Sequence, residues 1–188
     1  MRPLLAAVAA GLVLAAGCAS TPTRYYTLSA LAEPAPARQV TGPSVAVGPV
    51  SIPALVDRPQ LVLTIDANQV QVDEFSRWAA PLADEITRVT VLNLTQLLGG
   101  AEVGPSTGGA ATNPVVKLRI DVVGFEARPG EAVLIDARWS LRRADSTRHG
   151  RSVLREPSRG NGVDALAAAY SRALARLATD IATDLRTP

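Results

Sequence analysis

Apolar and polar positions alternate most cleanly from Val116 to Val122: Val116, Leu118, Ile120 and Val122 would point one way, Lys117, Arg119 and Asp121 the other. A period of two belongs to a strand with one buried face. Val133, Ile135, Ala137, Trp139 and Leu141 repeat it. Between the two runs lies Arg128-Pro129-Gly130-Glu131, where Pro fixes φ at one central turn position and Gly allows positive φ at the next. A long antiparallel hairpin is expected. A further turn near Ala144-Asp145-Ser146 would return the chain as a strand over Arg151 to Glu156. Upstream, Tyr25-Tyr26-Thr27-Leu28 is a short β-prone run. Val45, Val47 and Val50, then Leu61, Leu63 and Ile65, mark two strands, and Asp66-Ala67-Asn68 turns into a third at Gln69 to Val72.

Two segments carry the longer period of a helix. The first starts near Pro81, where a missing N–H costs least, has Asp84 and Glu85 at the positive end of the helix dipole, and ends at Gly99-Gly100. Its Leu82, Ile86, Val89, Leu92, Leu94, Leu97 and Leu98 form an apolar surface wide enough to suggest burial on more than one side. The second runs from about Val163 to Leu185, with Leu166, Tyr170, Leu174, Leu177, Ile181 and Leu185 as a stripe expected to pack on the sheet. The elements add up to an α+β fold, a mostly antiparallel sheet with two helices packed on one face, in a single domain over residues 44–188. Ala30 to Pro43 reads as an Ala/Pro-rich extended connector.

The chain opens differently. Arg2 precedes an unbroken small and apolar stretch, Leu4 to Gly17, shorter than the roughly 20 residues that span a bilayer as a helix. A basic start, an apolar middle and a small-residue end are the pattern of a secretory signal, here residues 1–17. Leu14-Ala15-Ala16-Gly17-Cys18 resembles the bacterial lipobox, with Ala15 in place of the usual Leu. The resemblance implies that Cys18 becomes the first mature residue and carries a covalent N-acyl diacylglycerol, with residues 18–43 as a lipidated N-terminus. Cys18 is the only Cys, so no disulfide framework exists. Ala19 is not the Asp of the retention signal that keeps such proteins at the inner membrane of enteric bacteria. An outer-membrane anchor on the periplasmic face is therefore expected.

Composition narrows the function. The formal charge is +2, Lys117 is the single Lys, and no run of basic residues occurs. With so few aromatics beside them, a nucleic-acid surface has little support. Arg142, Arg143, Arg148, Arg151 and Arg155 surround one turn and read as a solvated hairpin rim. His149, the only His, lies in a polar stretch and reads as an exposed loop residue, so a His-based metal site or a Ser-His-Asp relay lacks a second member. Asp73-Glu74 and Asp84-Glu85 are the nearest thing to an acid and base pair, but neighbouring acids usually mark helix starts and turns. Gly99-Gly100 and Gly104 to Gly109 lack the context of a phosphate loop and read as a flexible loop. No enzyme, no metal and no cofactor beyond the acyl anchor is expected.

Four segments in order are distinctive: Arg24-Tyr25-Tyr26-Thr27-Leu28, Val47-Gly48-Pro49-Val50-Ser51-Ile52-Pro53, Leu55-Val56-Asp57-Arg58-Pro59-Gln60-Leu61-Val62 and Phe75-Ser76-Arg77-Trp78-Ala79-Ala80-Pro81-Leu82. Together they resemble the ABC-type transport auxiliary lipoproteins, the PqiC (YmbA) family. The resemblance implies a partner, an MCE-domain protein of an ABC-type transporter that conducts lipid between the two membranes, on which this chain would dock. Pro49, Pro53 and Pro59 break the strand pattern, so Ile52 to Arg58 is expected as an exposed edge or loop. Leu55 and Val56 beside Asp57 and Arg58 would offer an apolar spot with a polar rim for that partner. The same residues also suit a structural turn, with Trp78 capping the core. Two other functions fit the sequence. One is a lipid carrier that holds phospholipid in a cavity lined by residues such as Leu94, Leu98 and Leu174. The other is a structural envelope lipoprotein unrelated to transport. Self-association into a homo-oligomer is left open.

Overall fold

The two alternating runs pair as a hairpin in the computed structural model, which describes residues 21–33, 44–99, 101–107 and 116–187. The expected signal peptide, Cys18, Pro34 to Pro43 of the connector, Gly100 and the part of the glycine-rich loop from Gly108 lie outside the described residues.

The strands are β1 (Arg24–Tyr26), β2 (Val45–Ser51), β3 (Gln60–Asp66), β4 (Gln69–Trp78), β5 (Val103–Pro105), β6 (Val116–Arg128), β7 (Ala132–Arg142) and β8 (Thr147–Pro157); α1 (Leu82–Leu98) and α2 (Val163–Arg186) are the helices. They make one α+β domain with two sheets, of order β5-β2-β6-β7-β8 and β1-β4-β3. The large sheet is mixed. Its β6-β7-β8 part is antiparallel as the pattern predicts, but β2 lies parallel to both β6 and β5. The small sheet joins the β3–β4 hairpin to a parallel β1. Gly104, expected in a loop, is part of β5, and His149 stands exposed on strand β8.

Alternation explains the core. Val116, Leu118, Ile120 and Val122 of β6 and Val133, Ile135, Ala137, Trp139 and Leu141 of β7 are all buried on one face. The register then shifts between Val122 and Gly124, so Val123 turns outward and Phe125 and Ala127 take over the inner face. At the hairpin turn Gly130 adopts φ 74°, as expected of that position. On the same face Trp139 lies over Gly150, its cross-strand partner on β8.

Both helices pack against each other and on the large sheet. Every residue of the predicted α2 stripe is buried. In α1, Pro81 occupies the cap position, and Gly99 ends the helix in the left-handed conformation. As its apolar breadth suggested, α1 is covered on more than one side, by α2, by β2 and β5 and by the segment after β1, while Leu92 stays exposed. Each fully buried Leu or Ile contributes roughly 1.5–3 kcal/mol, and the helix stripes and the inner face of the sheet share this core.

Candidate docking site

The small sheet meets the rest of the protein through three rings. Trp78, at the end of β4, stands edge-on to Phe125 of β6 and to Tyr170 of α2, with centroids at 6.5 and 6.2 Å, while Phe125 and Tyr170 stack at 3.9 Å. Trp78 is buried, and burial pushes the Tyr170 phenol well above its ordinary range. Trp78 thus caps the core, yet it also forms part of a surface cleft.

That cleft, of about 380 Å³, is lined by Asp57, Arg58, Pro59, Trp78, Ala79, Ala80, Pro81 and Leu82. Its walls are tied together by the backbone. The Trp78 amide donates to the Pro59 carbonyl at 2.7 Å and the Ala79 amide to the Tyr26 carbonyl at 2.8 Å. The three prolines explain the other wall. Pro53 ends the strand region, and its carbonyl accepts hydrogen bonds from the Val56 and Asp57 amides at 3.0 and 3.2 Å, closing a tight turn. Val56 points into the core, whereas Leu55 is 48% exposed, so the apolar spot on this turn is Leu55 alone. Asp57 and Arg58 are exposed. Neither side chain has a hydrogen bond or ion pair among the described residues, so a turn held by their mutual attraction is not what forms here.

Residues expected for a lipid cavity lie elsewhere. Leu94, Leu98 and Leu174 are buried in the core where helices and sheet meet, and the cleft does not reach them. A second cleft of about 320 Å³ runs between α1 and β5, along Arg88, Val91, Leu92 and Pro105.

A feature that sequence reasoning missed holds the segment after β1. Thr27 to Ala32 forms a strap across the two helices. The Glu85 carboxylate accepts from the Thr27 hydroxyl at 2.7 Å, the Leu28 amide at 2.9 Å and Arg88 Nη2 at 2.8 Å. Arg88 also donates to the Leu28 carbonyl at 2.6 Å. Further along, Ser171 Oγ accepts from the Ser29 amide at 3.0 Å, and Asn93 Oδ1 accepts from both the Leu31 and Ala32 amides at 2.9 Å. Burial pushes the Glu85 carboxyl up, but the hydrogen bonds from Arg88, Thr27 and Leu28 outweigh it and hold the group at about 2. Glu85 therefore serves as a buried clamp more than as a helix-dipole charge. A signal was present in the sequence: Asn93 is a polar residue within the apolar run from Val89 to Leu98, and it is wholly buried.

The remaining polar candidates have structural roles. Asp73 accepts from the Phe75 and Ser76 amides, and Glu74 from Gln60. Arg143 donates to the last turn of α2 at Leu185, and Arg151 pairs with Asp136 through two hydrogen bonds, so this rim is partly engaged.

An α+β domain with a strapped, short N-terminal strand and an open cleft at the end of a small sheet defines the class. A model of the family described as ABC-type transport auxiliary lipoprotein component matches residues 26–182, and the chain belongs to that family. Two crystal structures share the fold. One, of an uncharacterized protein, is 21% identical, with a TM-score of 0.75 over 88% of this chain and 99% of its own. The other, protein XCC0632 from Xanthomonas campestris, of family model DUF330, is 22% identical, with a TM-score of 0.68 over 84% of this chain and 92% of its own. No curated protein matches the chain. Among the described residues no helix is long and apolar enough to cross a membrane.

Proposed function

We propose that the chain is the lipid-anchored auxiliary component of an MCE-type, ABC-driven lipid transport system, held at the periplasmic face of the outer membrane through acylated Cys18. It docks on the MCE-domain protein through Leu55, Asp57, Arg58 and the cleft beside Trp78, with Val56 holding the docking turn in the core. The observation that carries this reading is that Asp57 and Arg58, charged groups without partners among the described residues, line a cleft of about 380 Å³ and follow an exposed Leu55 on the same turn. Solvent-exposed charges that bond to nothing among the described residues are free to select a partner, and an apolar residue beside them supplies a contact that excludes water.

Strand direction supports the same reading. β1 runs parallel to β4 with Tyr26 opposite Trp78, so the chain leaves the anchor, passes along β1 and reaches the cleft at the strand's far end. The docking turn is then presented away from the bilayer. The burial of Leu94, Leu98 and Leu174 speaks against the carrier alternative, because an acyl chain between helices and sheet would have to displace core side chains.

An affinity pull-down of the full-length lipoprotein from gently solubilised envelopes tests the proposal, with Cys18→Ala and Arg58→Glu as controls. Co-purification of an MCE-domain protein that is weakened by Arg58→Glu is expected. Recovery of phospholipid alone would move the reading to a carrier, and recovery of neither would leave a structural envelope lipoprotein.

A further inference from the structure

The β3–β4 hairpin is where the small sheet leaves the core. Leu61, Val62 and Leu63 at its base are buried, while every residue from Ile65 to Gln71 is exposed. Two of those are large and apolar: Ile65, 48% exposed, and Val70, 43% exposed. Two more exposed apolar side chains stand on the same small sheet. Tyr25 lies opposite Arg77, and Phe75 is two residues before Arg77, hence on the same face as Tyr25. Singly exposed apolar residues are ordinary, but four on one three-stranded sheet, with none of them packed against the core, make a surface that water does not favour.

The anchor fixes what lies opposite that surface. β1 and β4 are parallel, with Arg24 level with Ser76, so the N-terminal end of β1 faces the side on which β4 runs back from Ser76 toward the hairpin turn. Six steps from Arg24 to Cys18 reach at most about 20 Å, and seven steps from Ser76 to Gln69 reach roughly 23 Å. The tether from Arg24 to Cys18 is therefore no longer than the reach of the hairpin from Ser76 to its tip. The tip carries Asp66 and Asn68 beside the apolar pair, and the Asp66 carboxylate is taken up by the Ala67 amide at 2.6 Å.

We infer that the tip of the β3–β4 hairpin, through Ile65 and Val70, rests in the interfacial layer of the membrane that holds Cys18. This contact rests on the reading of Cys18 as acylated. It gives the domain a second point of attachment, so that the protein stands on the bilayer in one orientation, with the docking cleft outward. Apolar side chains at the boundary between headgroups and acyl chains are what interfacial partitioning favours.

The test uses the full-length lipidated protein in vesicles of phosphatidylethanolamine and phosphatidylglycerol. Cys18 is the only Cys and its thiol is consumed by the anchor, so Val70→Cys, Ile65→Cys and Val153→Cys each supply one thiol for an environment-sensitive fluorophore. Val153 is 57% exposed on the outward face of the large sheet and serves as the aqueous reference. Blue-shifted emission at positions 65 and 70, quenched by lipids brominated in the acyl chain, with no quenching at 153, is the expected result. Emission at 70 that matches 153 in protein that floats with the vesicles overturns the inference and leaves the anchor intact. Failure to float overturns the anchor and the inference together. A blue shift in the Cys18→Ala chain that grows with protein concentration, no vesicles being present, would make a second copy the occupant and also overturns it.

Discussion

The Glu85 carboxylate, in the first turn of α1, accepts the Leu28 amide at 2.9 Å across 57 residues of chain, and so joins the strap behind the N-terminal strand to the helical layer. Its carboxyl lies at about 2 in the folded state against 4.5 as its ordinary value, because bonds to Arg88, Thr27 and Leu28 overcome the cost of burial. A depressed folded value stabilises the fold above the ordinary pKa and loses that contribution as pH falls through the folded one. The protein should therefore lose stability between about pH 5 and pH 2, by up to about 3 kcal/mol from this group. Thermal unfolding of wild type and Glu85→Gln across that range checks it. The variant should be less stable at pH 7 and should lack this part of the acid dependence.

Asn93 offers a second lever on the strap. Asn93→Ala leaves the Leu31 and Ala32 amides without their acceptor, and an unsatisfied, partly buried donor costs about 1–3 kcal/mol each. Urea denaturation should show a loss of roughly 2–4 kcal/mol. Hydrogen exchange at Leu31 and Ala32 should accelerate more than in β6 and β7, since the strap would open before the sheet does.

Gly150→Ala tests the packing of the large sheet. A Cβ at this position would fall 2.1 Å from Trp139 Cζ2, far inside contact distance, with the ring backed by its bond to Ser152. The indole must move, at a cost of about 1–3 kcal/mol for overpacking. Denaturation midpoints would read the loss, and a changed near-UV circular dichroism signal would report the displaced ring.

The docking turn predicts a separation of binding from folding. Arg58 is exposed and bonds to nothing through its side chain among the described residues, so Arg58→Glu should shift stability by no more than about 0.5 kcal/mol. It should weaken capture of the partner about tenfold, roughly 1.4 kcal/mol. Trp78→Ala is the contrasting variant. It removes a ring from the centre of the aromatic group and should cost about 3–5 kcal/mol in unfolding experiments, whatever it does to binding.

Much of this fold could be read along the chain, and the misses share a cause. β6, β7 and α2 carry long, strict periods, and each formed within a few residues of its expected limits. What periodicity does not carry is which strand neighbours which. β1 and β5 are three residues each and exist only through parallel pairing with strands far along the chain, so the division into two sheets was not visible. The docking turn was legible through its prolines and its resemblance to a family pattern. That Val56 points inward while Leu55 does not depends on the turn closed at Pro53, which no period encodes. The clamp was hidden because Glu85 sits where an acid already has a local explanation, at a helix start.

The pairing of β1 also decides how the fold bears tension. A pull applied at Arg24 along the strand axis would act parallel to β4 and across the hydrogen bonds between the two strands. Such a load shears the bonds together, whereas a pull at right angles would open them one after another like a zip. Behind them, the bonds at Glu85, Ser171 and Asn93 would have to give way next, each on a different turn of the two helices. The first strand is thus fastened so that a force along its axis must break many bonds at once before it can be stripped from the domain.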